Sequence, residues 1–125
     1  FINRLWMDWS PNWPEYKSYA GRTIEVLSKG NVLSKSLAYY RCTFQESLQT
    51  ERINSLTAEL SAQKITVPTL YLHGENDGCI GANLSDGMEN FFDDLEIQIL
   101  ADCGHFLHLE KPDEVNQIIL KFLSS

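Results

Sequence analysis

Leu70-Tyr71-Leu72-His73-Gly74-Glu75-Asn76-Asp77 decides how this chain folds: an apolar run that closes on a glycine and then a carboxylate. The run begins at Val67-Pro68-Thr69, and proline is tolerated near the start of a strand, where no ladder hydrogen bond is lost. Its apolar character on both faces suits a strand of a parallel sheet. A second strand signal, Glu96-Ile97-Gln98-Ile99-Leu100, alternates polar and apolar as a strand near a sheet edge does. It runs into Ala101-Asp102-Cys103-Gly104-His105. Residues 82–92 read as a crossover helix between the two strands, which makes them parallel neighbours. Catalytic groups collect in loops at the carboxyl ends of such strands. Adjacent strands lie only ~4.8 Å apart, so Asp77 and His105 are expected within hydrogen-bonding reach. That pair is the acid and the base of a nucleophile–His–acid system.

Upstream, the pattern is helical. Trp6, Trp9 and Trp13 alternate with Pro11 and Pro14, and the two prolines argue against a continuous helix over residues 1–14. A helix is expected over 14–29, stopped by Gly30-Asn31. A second covers 32–49, with Leu33, Leu37, Tyr40, Phe44 and Leu48 on one stripe. Residues 50–64 are polar and read as a connector holding at most one short helix. Pro112-Asp113-Glu114 opens a last helix: proline costs no bond in a first turn, and the acids favour the positive helix end. Val115, Ile118, Ile119 and Phe122 form its buried stripe. The fold class is therefore α/β, with helices first and then strand, helix, strand, helix.

Composition narrows the function. Of 125 residues, 43 % are hydrophobic, enough to bury a core. The formal charge of −7 argues against nucleic acid and anionic membrane surfaces as partners, since both require clustered Lys and Arg. No apolar stretch approaches the ~20 residues of a membrane span. Cys42, Cys79 and Cys103 are odd in number and lack any framework spacing, which suits a reducing, cytoplasmic setting.

Each site residue also has a plain structural reading. An Asp in a post-strand turn is commonly a turn residue or helix cap, and a lone His is commonly structural. His73, His105 and His108 with Glu75, Asp77 and Cys103 complete no metal-binding spacing, so no metal is implied. Cys103 lies too close in sequence to His105 for attack geometry.

The stretches ITVPTLYLHGENDGCIG (65–81) and CGHFLHLEKPDEVNQIILKFL (103–123) resemble the acid strand, the His loop and the closing helix of an α/β-hydrolase. LWMDWSPNW (5–13) and SLAYYR (36–41) resemble the helical cap of the epoxide-hydrolase-like and dehalogenase-like branch. The resemblance implies a partial α/β-hydrolase fold: a cap segment at 1–50, a connector at 51–64, and the C-terminal part of the core at 65–125. It makes Asp77 the triad acid and His105 the general base. Tyr40, before Arg41, matches the cap tyrosine that donates to an epoxide oxygen, although its place on the apolar stripe also fits plain packing. Trp6, Trp9, Trp13 and Phe106 are candidates for pocket lining, with packing of the cap as their plain alternative.

The implied activity is hydrolysis of a small, fairly apolar molecule, with epoxides leading. Ester hydrolysis by a serine nucleophile and haloacid or haloalkane dehalogenation follow, and a non-catalytic remnant is the alternative from another class. No cofactor is implied. Neither a GxSxG nor a GxDxG elbow occurs, and without an initiator Met residue 1 is not expected to be a natural start. The expectation is therefore a truncated or partnered half of the fold, inactive alone. Its nucleophile and most of its sheet would come from another chain or a swapped protomer.

Overall fold

The computed structural model describes residues 1–125. Helices α1 (Ile2–Trp9), α2 (Tyr16–Leu27), α3 (Val32–Phe44) and α4 (Glu51–Ser61) precede strands β1 (Thr69–Gly74) and β2 (Leu95–Leu100). A single-turn helix α5 (Leu107–Glu110) and helix α6 (Pro112–Leu123) follow. None is long and apolar enough to cross a membrane.

β1 and β2 pair in parallel from Thr69↔Leu95 to Gly74↔Leu100. An isolated bridge, Ile65↔Phe92, extends the alignment backwards. The ladder ends where the two loops begin, with Glu75 N–H donating to the Leu100 carbonyl at 2.8 Å. Leu72 and Leu100 share one face of this sheet because alternate residues point the same way. Val115 and Ile118 of α6 cover that face and, with Cys103 and Leu107, form the buried cluster around Leu100. Ile97 and Ile99 lie on the opposite face and are more than a third exposed. On that same face of β1, His73 is buried and Tyr71 half-buried, so the open part belongs to β2, the strand expected near a sheet edge.

As expected, no continuous helix spans residues 1–14: α1 ends at Ser10, with φ −135° and ψ 72°. A residue preceding proline is pushed out of the helical region, so Pro11 fixes that end. Other local expectations change. α3 stops at Phe44, short of the expected 49, and one 3₁₀ turn (Glu46–Leu48) follows. The connector contains a full helix, α4, capped by Thr50, whose hydroxyl accepts from Ile53 N–H. That cap, with Glu51 in the first turn, outweighs the sparse apolar pattern.

The crossover is not an α-helix. It consists of two 3₁₀ turns, Ala82–Ser85 and Met88–Phe91, separated by Gly87 at φ 83°. A left-handed residue in the middle of the segment interrupts the helical ladder. The stripe Leu33, Leu37, Tyr40, Phe44 and Leu48 is exposed rather than packed.

Leu100 joins the sheet to α6, so Leu100→Ala is expected to destabilise the fold by about 2–5 kcal/mol. In urea unfolding the midpoint should fall with little change of slope. A loss under about 0.5 kcal/mol, typical of surface positions, would remove Leu100 from the core.

Candidate active site

Asp77 sits three residues past β1 in a turn closed by its own N–H on the Gly74 carbonyl, at 3.2 Å. Its carboxylate is only 5 % exposed. A buried charge requires donors, and Asp77 has them on both oxygens. Oδ1 accepts from the N–H groups of Cys79 (2.7 Å) and Ile80 (3.0 Å). Oδ2 accepts from His105 Nδ1 at 2.9 Å. Asp77 is thus both a turn residue, through Oδ1, and half of an acid–base pair, through Oδ2.

A nitrogen facing a carboxylate carries the proton, so Nε2 is the lone-pair nitrogen of a neutral His105 ring. No group of the chain bonds Nε2, and the side chain is 29 % exposed. The arrangement can take a proton at Nε2 while Asp77 stabilises the resulting imidazolium.

Burial pushes the Asp77 carboxyl upward, but the Ile80 amide, the His105 hydrogen bond, the Cys79 amide and the His105 charge together outweigh it. The net effect lies below the ordinary value of 3.8. Burial, then the charge of Asp77, raises the Tyr71 phenol. Burial and the neighbouring Glu110 push the Cys103 thiol up to about 11, far from a reactive thiolate.

His73, a candidate only for metal ligation by sequence, is a second imidazole beside Asp77. Its Nε2 lies 2.9 Å from the Ile80 carbonyl and 3.3 Å from Asp77 Oδ2. Both are acceptors, so this nitrogen carries the proton, and in the neutral ring Nδ1 accepts from the Tyr71 hydroxyl at 2.7 Å. Backbone alternation puts Tyr71 and His73 on one face of β1, which makes the stack possible. No group of three or more His, Cys, Asp or Glu side chains is arranged to hold a metal ion.

Helix α1 ties the two loops together. The Trp9 carbonyl accepts from both Gly78 N–H (3.2 Å) and His105 N–H (3.0 Å). Two glycines permit this approach. A Cβ on Gly78 would meet the Asp8 carbonyl, and one on Gly104 would lie 2.7 Å from Ser10 Cα.

The tryptophans gather beside His105 and Phe106. The Trp9 ring meets His105 edge-on, with centroids 5.0 Å apart, and Trp6 stacks on Phe106 at 3.8 Å. Trp13 packs against Trp6 and Tyr19 and is buried. Tyr40, by contrast, is 61 % exposed, its hydroxyl bonds nothing, and its ring is not among those around His105. A groove of about 890 Å³ lies between α3 and α4, lined by Tyr39, Cys42, Leu48 and Ile53, and includes none of the residues around Asp77.

No protein-family model matches the chain. Over 76 residues it is 38 % identical to bifunctional epoxide hydrolase 2 of Rattus norvegicus, covering 61 % of this chain and 14 % of that protein. It is 30 % identical over 104 residues to epoxide hydrolase 4 of Homo sapiens, covering 80 % and 25 %. It is 27 % identical over 88 residues to monoacylglycerol lipase ABHD6 of Mus musculus, covering 70 % and 26 %. The chain thus spans about a quarter or less of these relatives. The solved structure of epoxide hydrolase CorEH without ligand superposes with a TM-score of 0.75 at 20 % identity, covering 99 % of this chain and 41 % of that one. The chain is similar to α/β-hydrolases and carries part of their fold, helices followed by two parallel strands.

A folded value below 3.8 means that Asp77 contributes stability above that pH, which is lost as pH falls through the folded value. The gap in Tm between the parent and Asp77→Asn is therefore expected to be widest near neutrality and to narrow below about pH 4. A gap that widened on acidification would contradict an ionised Asp77.

Proposed function

We propose that this chain supplies the acid and base of a hydrolase that works through a covalent intermediate on a small, fairly apolar substrate, an epoxide first of all. The observation that carries the reading is the 2.9 Å contact between Asp77 and His105 Nδ1, with Nε2 free to accept a proton. The epoxide hydrolases among the similar proteins support the substrate class.

In this reading the nucleophile is an aspartate outside the chain, on the part of the fold that adds strands beside β1. Its carboxylate opens the epoxide to a hydroxyalkyl ester, and Tyr40 donates a proton to the alkoxide as it forms. Water then attacks the ester carbonyl and gives its proton to His105 Nε2. His105 passes that proton to the leaving alkoxide, and the diol departs. The proton of the released carboxyl returns through solvent to the Tyr40 phenolate, which restores the nucleophile's carboxylate. Asp77 holds the ring and its charge throughout. Residues 1–50 act as the cap, and Trp6, Trp9 and Phe106 wall the pocket beside His105 and keep bulk water out, with Trp13 packed behind Trp6. No cofactor enters this cycle. Three free cysteines suit the cytoplasm.

Ester hydrolysis by a serine nucleophile is the second reading, favoured by the likeness to a monoacylglycerol lipase. His105→Gln in the complete enzyme separates the two. Turnover should fall roughly 10⁴-fold or more in either case. With an aspartate nucleophile, which needs no base to attack, an ester adduct should accumulate and show as one substrate mass added to the protein. With serine, no adduct should form, because His105 is then also required for the first step. Turnover near the parent rate would remove His105 from the chemistry.

Tyr40→Phe gives a second test. Turnover of an aryl epoxide is expected to fall by about 10²-fold, the usual cost of a lost oxyanion donor. Hydrolysis of a nitrophenyl ester should stay near the parent rate. Equal rates on the epoxide would leave Tyr40 a surface residue of α3.

A further inference from the structure

We infer that Glu110 is the positioning residue of the base loop, gripping the backbone on both sides of His105 so that its ring faces Asp77. The inference rests on the hydrolytic role proposed for His105. Glu110 Oε2 accepts from Gly104 N–H at 2.8 Å, and Oε1 accepts from Phe106 N–H at 3.1 Å. One carboxylate thus spans the residue between them. The N–H of His105 itself is held by the Trp9 carbonyl at 3.0 Å. Three consecutive amides, 104 to 106, are therefore all bound, and the backbone cannot turn the imidazole away without breaking at least one charge-assisted bond.

The grip is anchored at its other end. Ser10 is 1 % exposed and donates its hydroxyl to Glu110 Oε1 at 2.7 Å, which joins the end of α1 to the same carboxylate. Glu110 also closes α5 through its backbone, since its N–H donates to the Phe106 carbonyl at 3.0 Å. The residue holds Phe106 from both sides of one turn. Gly104 completes the fit: a Cβ there would lie 2.7 Å from both Ser10 Cα and the Trp9 carbonyl oxygen.

A carboxylate suits this place because all the groups around it donate. In Glu110→Gln the amide NH₂ must face at least one of them, whichever way it is turned. In Glu110→Ala a buried hydroxyl and two amides lose their acceptor. Such a residue acts on catalysis through geometry alone, and a displacement near 1 Å costs about 10²-fold in rate.

The test compares Glu110→Ala, Glu110→Gln and His105→Gln in the complete enzyme, with an aryl epoxide and a nitrophenyl ester as probes. Glu110→Ala is expected to lower kcat by about 10²-fold with little change in KM, and Glu110→Gln by less, since it keeps part of the grip. The proton on His105 Nδ1 gives a far-downfield NMR resonance when it is held by Asp77. It should shift or exchange faster in both Glu110 variants at temperatures where they remain folded. If Glu110→Ala does not fold, Glu110→Gln carries both readouts. A kcat within about twofold of the parent, with an unmoved resonance, overturns the inference, because a released base costs far more. If His105→Gln leaves kcat intact while the resonance moves in the Glu110 variants, the grip stands and the hydrolytic reading falls.

Discussion

The in-register parallel pairing of β1 with β2 is the constraint on which the rest of the structure depends. Both strands end at the same level, Gly74 opposite Leu100, so the loops that follow leave the sheet side by side. A slip of one residue would move every side chain to the other face. It would also carry Leu100 out of the cluster with Val115 and Ile118, and the apolar packing of α6 therefore holds the register as well as the core. The meeting of carboxylate and imidazole is a consequence of that packing.

Proximity alone does not fix orientation, and α1 supplies what the sheet cannot. A helix remote in sequence delivers one carbonyl, that of Trp9, to an amide in each loop, and one buried hydroxyl, that of Ser10, to the carboxylate of Glu110. The glycines at 78 and 104 remove the side chains that would hold the helix off. Polar groups that would otherwise be costly to bury satisfy one another, and this satisfaction makes the site rigid. The indole of Trp9 then reaches the His105 ring from the same helix, so the element that fixes the backbone also shapes the surface beside the base.

Much of this was legible in the residues. The apolar run into Gly74 and Asp77, and the alternating run into Gly104 and His105, marked two strands whose loops meet at one end. Pro112-Asp113-Glu114 marked the start of α6, where the structure has it. The crossover misled because its composition suits a helix, while Gly87 in a left-handed conformation breaks the ladder. The connector misled because its residues are mostly polar, and the cap at Thr50 that starts α4 leaves no apolar pattern. Glu110 carries no sequence signal of its place, since nothing local tells a surface glutamate from one folded back on two amides.

From the residues alone came the two strands, their parallel pairing and the closeness of Asp77 to His105, because hydrophobic period and turn chemistry are local and survive without neighbours. Only the tertiary structure decided that Asp77 bonds His105 while His73 packs beside the same carboxylate, that a distant helix pins both loops, and that Glu110 brackets His105. Those facts depend on which donors meet which acceptors once segments a hundred residues apart are in contact. A hydrogen bond is made at under about 3.2 Å, a scale that sequence spacing does not encode.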